Sequence, residues 1–390
     1  MLRSTIYIFY VVFVILFLLE TSSRYLMSYN APFHERYKMH LEYINSSYGA
    51  ALLPSQTIFH TNKGKIVEDS IKYHVNSFGQ RGNNYSLEKT DNEIRIIFLG
   101  GSHIFDLNSY DYEGGDFTKQ IMNKFNKSVR VINAGVPGHT MVNLSKRIKE
   151  DLLQYHSDIV IINSIWNDIK AISRYDTTVS LHPFINKKKS EKKSNKNPLM
   201  HSVNLFDEIF GKSVIYRKIR DYYWYKRLNI VSDKMVIESL INGDHVDETK
   251  FNKYLIDKGL IKLYKNHIEE AIKLLKGNNI IPIIAVEERL VDNKNNIEEK
   301  RRIKYNMISV NNHDELVYLF EKCDSLLYEI AQINNLYYIN INKKIPHTLE
   351  YFADHVHTTS KGSKYMADEY YYFLKPIIDS LLVVNKKIFK

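Results

Sequence analysis

The chain has 390 residues, 44% of them hydrophobic and 25% charged, with a formal net charge of +10. These are globular values in a chain long enough to bury a substantial core, and no nucleic-acid-binding module is visible. The single cysteine, Cys323, excludes an internal disulfide and sits in an apolar helical pattern, as a core residue does.

The first element is Ile6–Leu19 (IYIFYVVFVILFLL), continuously apolar between Arg3 and Glu20. Its fourteen residues fall short of the roughly 20 that a transmembrane helix needs. With Ser4, Thr5 and the flank through Thr21 it spans a thin or locally adapted bilayer. No A-x-A-like cleavage site follows, so residues 1–24 read as an uncleaved signal anchor, with a cleaved signal peptide as the competitor. Arg3 ahead of the segment sets the N-terminus inside and the remainder outside, although Arg24 and Lys38 weaken that asymmetry. Residues 25–90 read as a leader packing on the domain that follows, with extended pieces at Gln56–His60 and Ile71–His74. It ends in VNSFGQRG, Val75–Gly82, a tight loop in which Arg81 reads as a pinning residue, with substrate contact as the alternative.

From residue 94 strands and helices alternate. Ile94–Leu99, Val129–Asn133 and Asp158–Asn163 are brief, β-branched and nearly all apolar, as buried parallel strands are. Helical patterns lie between them at Phe117–Phe125 and Met141–Leu153. The alternation resumes with a strand at Ile280–Val286, a helix over Glu315–Ile333, a strand at Leu336–Ile341 and a closing helix over Lys361–Phe373. The pattern predicts a three-layer α/β/α fold over residues 91–390 with a five-stranded parallel sheet. A span of about 171–265 interrupts it and reads as a helical insertion, with helical pieces at Val214–Leu228 and Lys253–Tyr264. The densest charge run, Lys187–Lys196, falls there and reads as a solvated loop, the alternative being a basic patch for an anionic polymer or lipid headgroup.

Four short blocks follow strands or precede the last helix: FLGGSH at Phe98–His103, NAGVPG at Asn133–Gly138, SIWND at Ser164–Asp168 and DHVH at Asp354–His357. Ligands in parallel α/β sheets sit at the carboxyl ends of the strands, and Ser102, Gly135 and Asn167 all come just after predicted strands. Together the blocks hold a hydroxyl nucleophile, a side-chain amide and an Asp/His pair, the parts needed for acyl transfer through a serine. Their order and spacing resemble the SGNH (GDSL-type) hydrolases over roughly residues 75–375. The N-S-x-G-x-R-G stretch ahead of them is similar to one found in bacterial members.

The resemblance implies a nucleophile at Ser102, a general base at His357 oriented by Asp354, and an oxyanion hole from the Ser102 and Gly135 N–H groups and the Asn167 side chain. It implies no cofactor. Gly101 stands where the family's commoner G-D-S form has Asp, and Ser164 where the family often has Gly. His103 reads as structural or substrate-facing, His139 as surface or pocket lining, Asp168 as a loop holder and Trp166 as a wall or core residue. A metal reading of Asp354, His355 and His357 lacks any further ligand cluster. The expected protein is therefore a serine esterase anchored in a bacterial cell membrane with its catalytic domain outside the cytoplasm; the alternative location is secreted or periplasmic. It removes or transfers O-acyl groups, on cell-surface carbohydrate as the favoured substrate. A lipid or lysophospholipid ester is the enzymatic rival, and a non-catalytic polysaccharide-binding or assembly protein the rival from another class.

Overall fold

The computed structural model describes residues 2–27, 41–62, 65–90, 92–125, 128–173, 260–305, 310 and 312–388. The Lys187–Lys196 run, the Val214–Leu228 piece and most of Lys253–Tyr264 lie outside these residues. The chain divides into two compact units. The first holds helix α1 (Leu2–Met27) and, in the span Thr57–Lys72, most of the two paired strands β3 (Gln56–Asn62) and β4 (Lys65–Val75). Within α1 the window Thr5–Ser22 has a mean hydropathy of 2.1, and none of it is buried in the protein. It is long and apolar enough to cross a membrane.

The second unit holds Glu42–Gln56 and the βα alternation. Its first part is an antiparallel pair, β1 (Tyr43–Ser46) with β2 (Gly49–Leu52). Next come β5 (Ile94–Gly100), α2 (Ser102–Phe105), α3 (Phe117–Lys124), β6 (Val129–Asn133), α4 (Met141–Glu150), β7 (Ile159–Asn163) and α5 (Trp166–Ser173). After the span outside the described residues come α6 (Leu260–Gly277), β8 (Ile281–Val286), α7 (Ile297–Arg302), α8 (His313–Ile333), β9 (Tyr337–Asn340) and α9 (Ser360–Ile388). All five expected strands form. The closing helix runs beyond Phe373 and through Pro376, because Leu374, Ile377 and Ile378 continue its buried face.

The five strands form one parallel sheet in the order β6-β5-β7-β8-β9. Right-handed crossovers dictate the layers. The step from β5 to β6 runs one way along the sheet, and every later step runs the other way. Helix α3 therefore covers one face, and α4, α6 and α8 the other. The packing agrees: α3 meets α9, whereas α6 meets α4, α5 and α8. Every residue of β5 and β7 is buried, which is why both read as unbroken apolar runs. The order reverses between β6, β5 and β7, and it is here that such sheets open a crevice. Gly100 of β5 is level with Asn163 of β7, so the turns carrying Ser102 and Asn167 leave the sheet side by side.

Candidate active site

Ser102 is the first residue of α2, immediately after β5 and two glycines. A Cβ at position 100 would lie 2.3 Å from the Asn163 carbonyl oxygen and 2.4 Å from Ile104, so only glycine lets the chain turn there. A Cβ at position 101 would come within 3.0 Å of Asn167 Nδ2. The departure from G-D-S thus leaves room for the Asn167 amide beside Ser102.

The loop 354–357 returns from the far end of the chain to meet Ser102. His357 Nε2 lies 2.8 Å from Ser102 Oγ, and its Nδ1 lies 2.9 and 3.0 Å from the two Asp354 oxygens. An ionised carboxylate only accepts, so the network assigns the ring proton to Nδ1 and leaves the Nε2 lone pair facing the serine hydroxyl. Burial alone would raise the Asp354 carboxyl, but the hydrogen bond and charge of His357 outweigh it and hold the group below the usual carboxylate range. The Val356 and His357 backbone N–H groups also donate to Asp354 Oδ1, at 3.1 and 3.0 Å.

Asp106 ties the two halves of this array together, and nothing in the sequence had pointed to it. It caps α2 in the left-handed region, at φ 60°. Its carboxylate accepts from Phe117 N (3.0 Å), Ser363 Oγ (2.5 Å) and Thr358 Oγ1 (3.3 Å). The nucleophile turn and the residue after His357 are therefore fixed to one buried group. Arg81 pins the same segment. Its guanidinium donates to the Phe105, Asp106 and Ser109 carbonyls, and its side chain is fully buried.

The oxyanion donors require one correction. Between residues 134 and 141 the backbone N–H groups can be accounted for one by one. Ala134 donates to Phe98 O, Val136 to Gly100 O and His139 to Val136 O. Thr140 donates to Asn143 Oδ1 and Met141 to Asp168 Oδ1. Gly135 donates to Asn133 Oδ1 at 3.0 Å and is packed so closely that a Cβ would lie 2.2 Å from Phe105 N. Its donor is spent, so Gly135 is a packing residue and not the expected oxyanion donor. Pro137 has no N–H. Gly138, at φ 85°, is left with the one donor that has no partner among the described residues. Asn167 Nδ2 donates one hydrogen to His139 O at 2.9 Å and keeps the other. Ser102 N–H, at the start of α2, has no intrahelical partner. Ser102, Gly138, Asn167 and His357 are each partly exposed, and each has buried neighbours on both sides. The four open onto solvent from an otherwise closed floor.

The other singled-out residues have supporting places. Asp168 accepts from Ser164 Oγ (2.6 Å) and Met141 N (2.9 Å), and burial pushes its carboxyl up to about 7. It holds the loop. His103, His139 and His355 are buried, and burial lowers each to about 3, which makes them poor proton acceptors at neutral pH. His103 Nε2 bonds the Asn163 carbonyl, and His139 Nε2 bonds Ala50 O in the leader. His139 is thus neither surface nor pocket lining. His355 packs at a tilt of 46° against Trp166 with ring centroids 4.0 Å apart, and Trp166 stacks in turn on Phe320, so Trp166 is core. Among the described residues no group of three His, Cys, Asp or Glu side chains is arranged to hold a metal ion. Lys304 Nζ stands 3.7 Å from Asp354 Oδ2 at the exposed edge.

No family model matches the chain, and no curated protein matches it. Among solved structures it is similar to a Bacteroides fragilis protein described as an acylhydrolase, at 15% identity and TM-score 0.39, covering 76% of this chain and 92% of that one. A GDSL-like lipase of Bacteroides thetaiotaomicron matches at 12% identity and TM-score 0.37, covering 76% and 93%. An acetylxylan esterase of Geobacillus stearothermophilus matches at 11% identity and TM-score 0.40, covering 73% and 96%. The chain resembles the SGNH hydrolases. At these identities and scores the functional reading rests on the site's own atoms, and the four blocks of that resemblance meet in one place.

Proposed function

We propose that this protein is a serine esterase working through an acyl-enzyme on Ser102. The observation that carries the reading is the relay Ser102–His357–Asp354, with both links at 3.0 Å or less. Ser102 Oγ attacks the ester carbonyl while His357 Nε2 takes its proton. The tetrahedral oxyanion is received by Ser102 N–H, Gly138 N–H and the free Asn167 N–H. His357 then gives the proton to the departing alcohol, leaving the acyl group on Ser102. Water, activated by the same imidazole, releases the acid and restores the serine; a sugar hydroxyl in place of water makes the reaction an acyl transfer. Asp354 stays ionised and stabilises the imidazolium.

The finer reading is an enzyme held at a membrane by α1, acting on O-acyl groups of cell-surface carbohydrate. The apolar window Thr5–Ser22 supports the anchor, and an anchored active site acts on what lies at that surface. The full-length protein is expected in the membrane fraction after carbonate washing. In detergent it is expected to hydrolyse 4-nitrophenyl acetate, and Ser102→Ala to abolish this without changing the far-UV circular dichroism. Turnover that survives Ser102→Ala would overturn the esterase reading, and a protein freed by carbonate would overturn the anchor.

A further inference from the structure

Directly after β8 lie two buried carboxyl groups, Glu287 and Glu288, that the mechanism does not use. Glu287 is 1% exposed. Its Oε2 accepts from the backbone N–H of Ile165 at 2.6 Å and of Trp166 at 3.1 Å. These are the two residues before Asn167, so one carboxylate oxygen fixes the turn that presents the oxyanion amide. The other oxygen, Oε1, has no hydrogen-bond partner among the described residues and lies 3.5 Å from His103 Nδ1.

His103 Nε2 faces the Asn163 carbonyl at 3.1 Å, and a carbonyl only accepts. Nε2 therefore carries the ring proton, and in the neutral ring Nδ1 is bare. A bare Nδ1 facing a carboxylate oxygen sets two acceptors against each other, which is costly in a dry interior. One proton between them removes the conflict.

We propose that Glu287, as the protonated acid, is a positioning residue of this site: it clamps the Asn167 turn through Oε2 and donates its own proton to His103, the residue beside the nucleophile. One side chain then couples the Ser102 turn to the Asn167 turn. Burial supports the placement of the proton, since it lowers His103 to about 3 and raises Glu287 to about 7. The groups around Glu287 divide. Its own segment contributes Glu288 and Arg289, and the nucleophile side His103 and His357. Asp168 faces it from α5, Tyr264 from α6 and Tyr370 from α9. Arg289 and His357 favour the ionised form, and Asp168 and Glu288 oppose it. The proposal rests on the Ser102 reading above.

The test uses full-length protein in detergent with 4-nitrophenyl acetate, comparing wild type with Glu287→Ala and Glu287→Gln. Glu287→Ala is expected to lower kcat about a hundredfold, as loss of an oxyanion donor does, with KM nearly unchanged. Glu287→Gln copies the protonated acid: its oxygen accepts from Ile165 and Trp166, and its amide donates to His103. It is expected to recover at least about tenfold of that loss. Only the acid can ionise, so the wild-type to Gln ratio of kcat should fall as pH rises from about 6 to about 8.5. Glu287→Gln as impaired as Glu287→Ala, Glu287→Ala as active as wild type, or a ratio that rises with pH would each overturn the proposal. If Glu287→Ala fails to fold, the pH dependence of the Gln ratio decides alone. Wild-type turnover that depends on Ser102 without rescue by Gln removes this inference only; wild-type turnover independent of Ser102 removes both.

Discussion

The β5–α2 turn and the β7–α5 turn leave neighbouring strands at the same height, yet they are held by different means. The first is held by fit, with a glycine at 100 where a Cβ would collide and the Arg81 guanidinium, and by the Asp106 carboxyl, itself raised by burial, which accepts from three donors. The second is held by buried acids, Asp168 and Glu287, both raised to about 7. A turn fixed by packing keeps its geometry across pH. Ionising Asp168 preserves the hydrogen bonds it accepts from Ser164 and Met141, whereas ionising Glu287 removes the proton proposed to face His103. The proposed nucleophile, Ser102, sits on the first turn and the proposed oxyanion amide, Asn167, on the second.

Mutations break this comparison unequally. On the nucleophile side, Ser102→Ala and His357→Ala should each lower kcat by on the order of 10⁴-fold or more, and together little further, because they act as one unit. His103→Ala and His355→Ala should fall well short of that, since neither ring reaches the hydroxyl. Steady-state kinetics of the three single variants against His357→Ala checks the ranking. On the amide side, Asn167→Ala should cost about 2.7–4 kcal/mol of transition-state stabilisation, read as kcat at saturating ester.

Asp106→Ala sharpens the structural half. It strands Phe117 N–H and the Ser363 and Thr358 hydroxyls in the interior, at about 1–3 kcal/mol for each unsatisfied buried donor. Urea unfolding should show the loss, and activity should fall with it because Thr358 follows His357. The smallest effect concerns pH. Asp168 is raised in the folded state from 3.8 to about 7, so the native protein binds more protons than the unfolded chain between those values. Its contribution to stability is fully present below the unfolded pKa and is lost as pH rises to about 7. Asp168→Asn should flatten the decline of the melting temperature over that window. A decline of equal slope in the variant would remove Asp168 as its source.

The sheet was legible because buried parallel strands write themselves as short apolar runs, and β5 and β7 are buried along their whole length. Ser102 and Asn167 were legible as residue types at strand ends, and Asp354 and His357 as an acid–imidazole pair ahead of the last helix. The choice between Gly135 and Gly138 was not. Both are glycines in one loop, and only the backbone path shows that Asn133 occupies the first N–H and that a left-handed turn frees the second. Glu287 was hidden for a related reason. A glutamate after a strand reads as surface, and its burial follows only from Ile165, Trp166 and His103 converging on it from two other strand ends. Asp106 offered no more than an acid shortly after Ser102, with Thr358 and Ser363, two of its three partners, more than 250 residues away in the chain.

The central claim is that Ser102 becomes covalently acylated through His357. Full-length protein treated with a fluorophosphonate and digested for peptide mass spectrometry should carry one adduct, on Ser102. The adduct should be absent from Ser102→Ala and form far more slowly in His357→Ala. An adduct on another residue, or labelling of Ser102→Ala at the wild-type rate, would contradict the account.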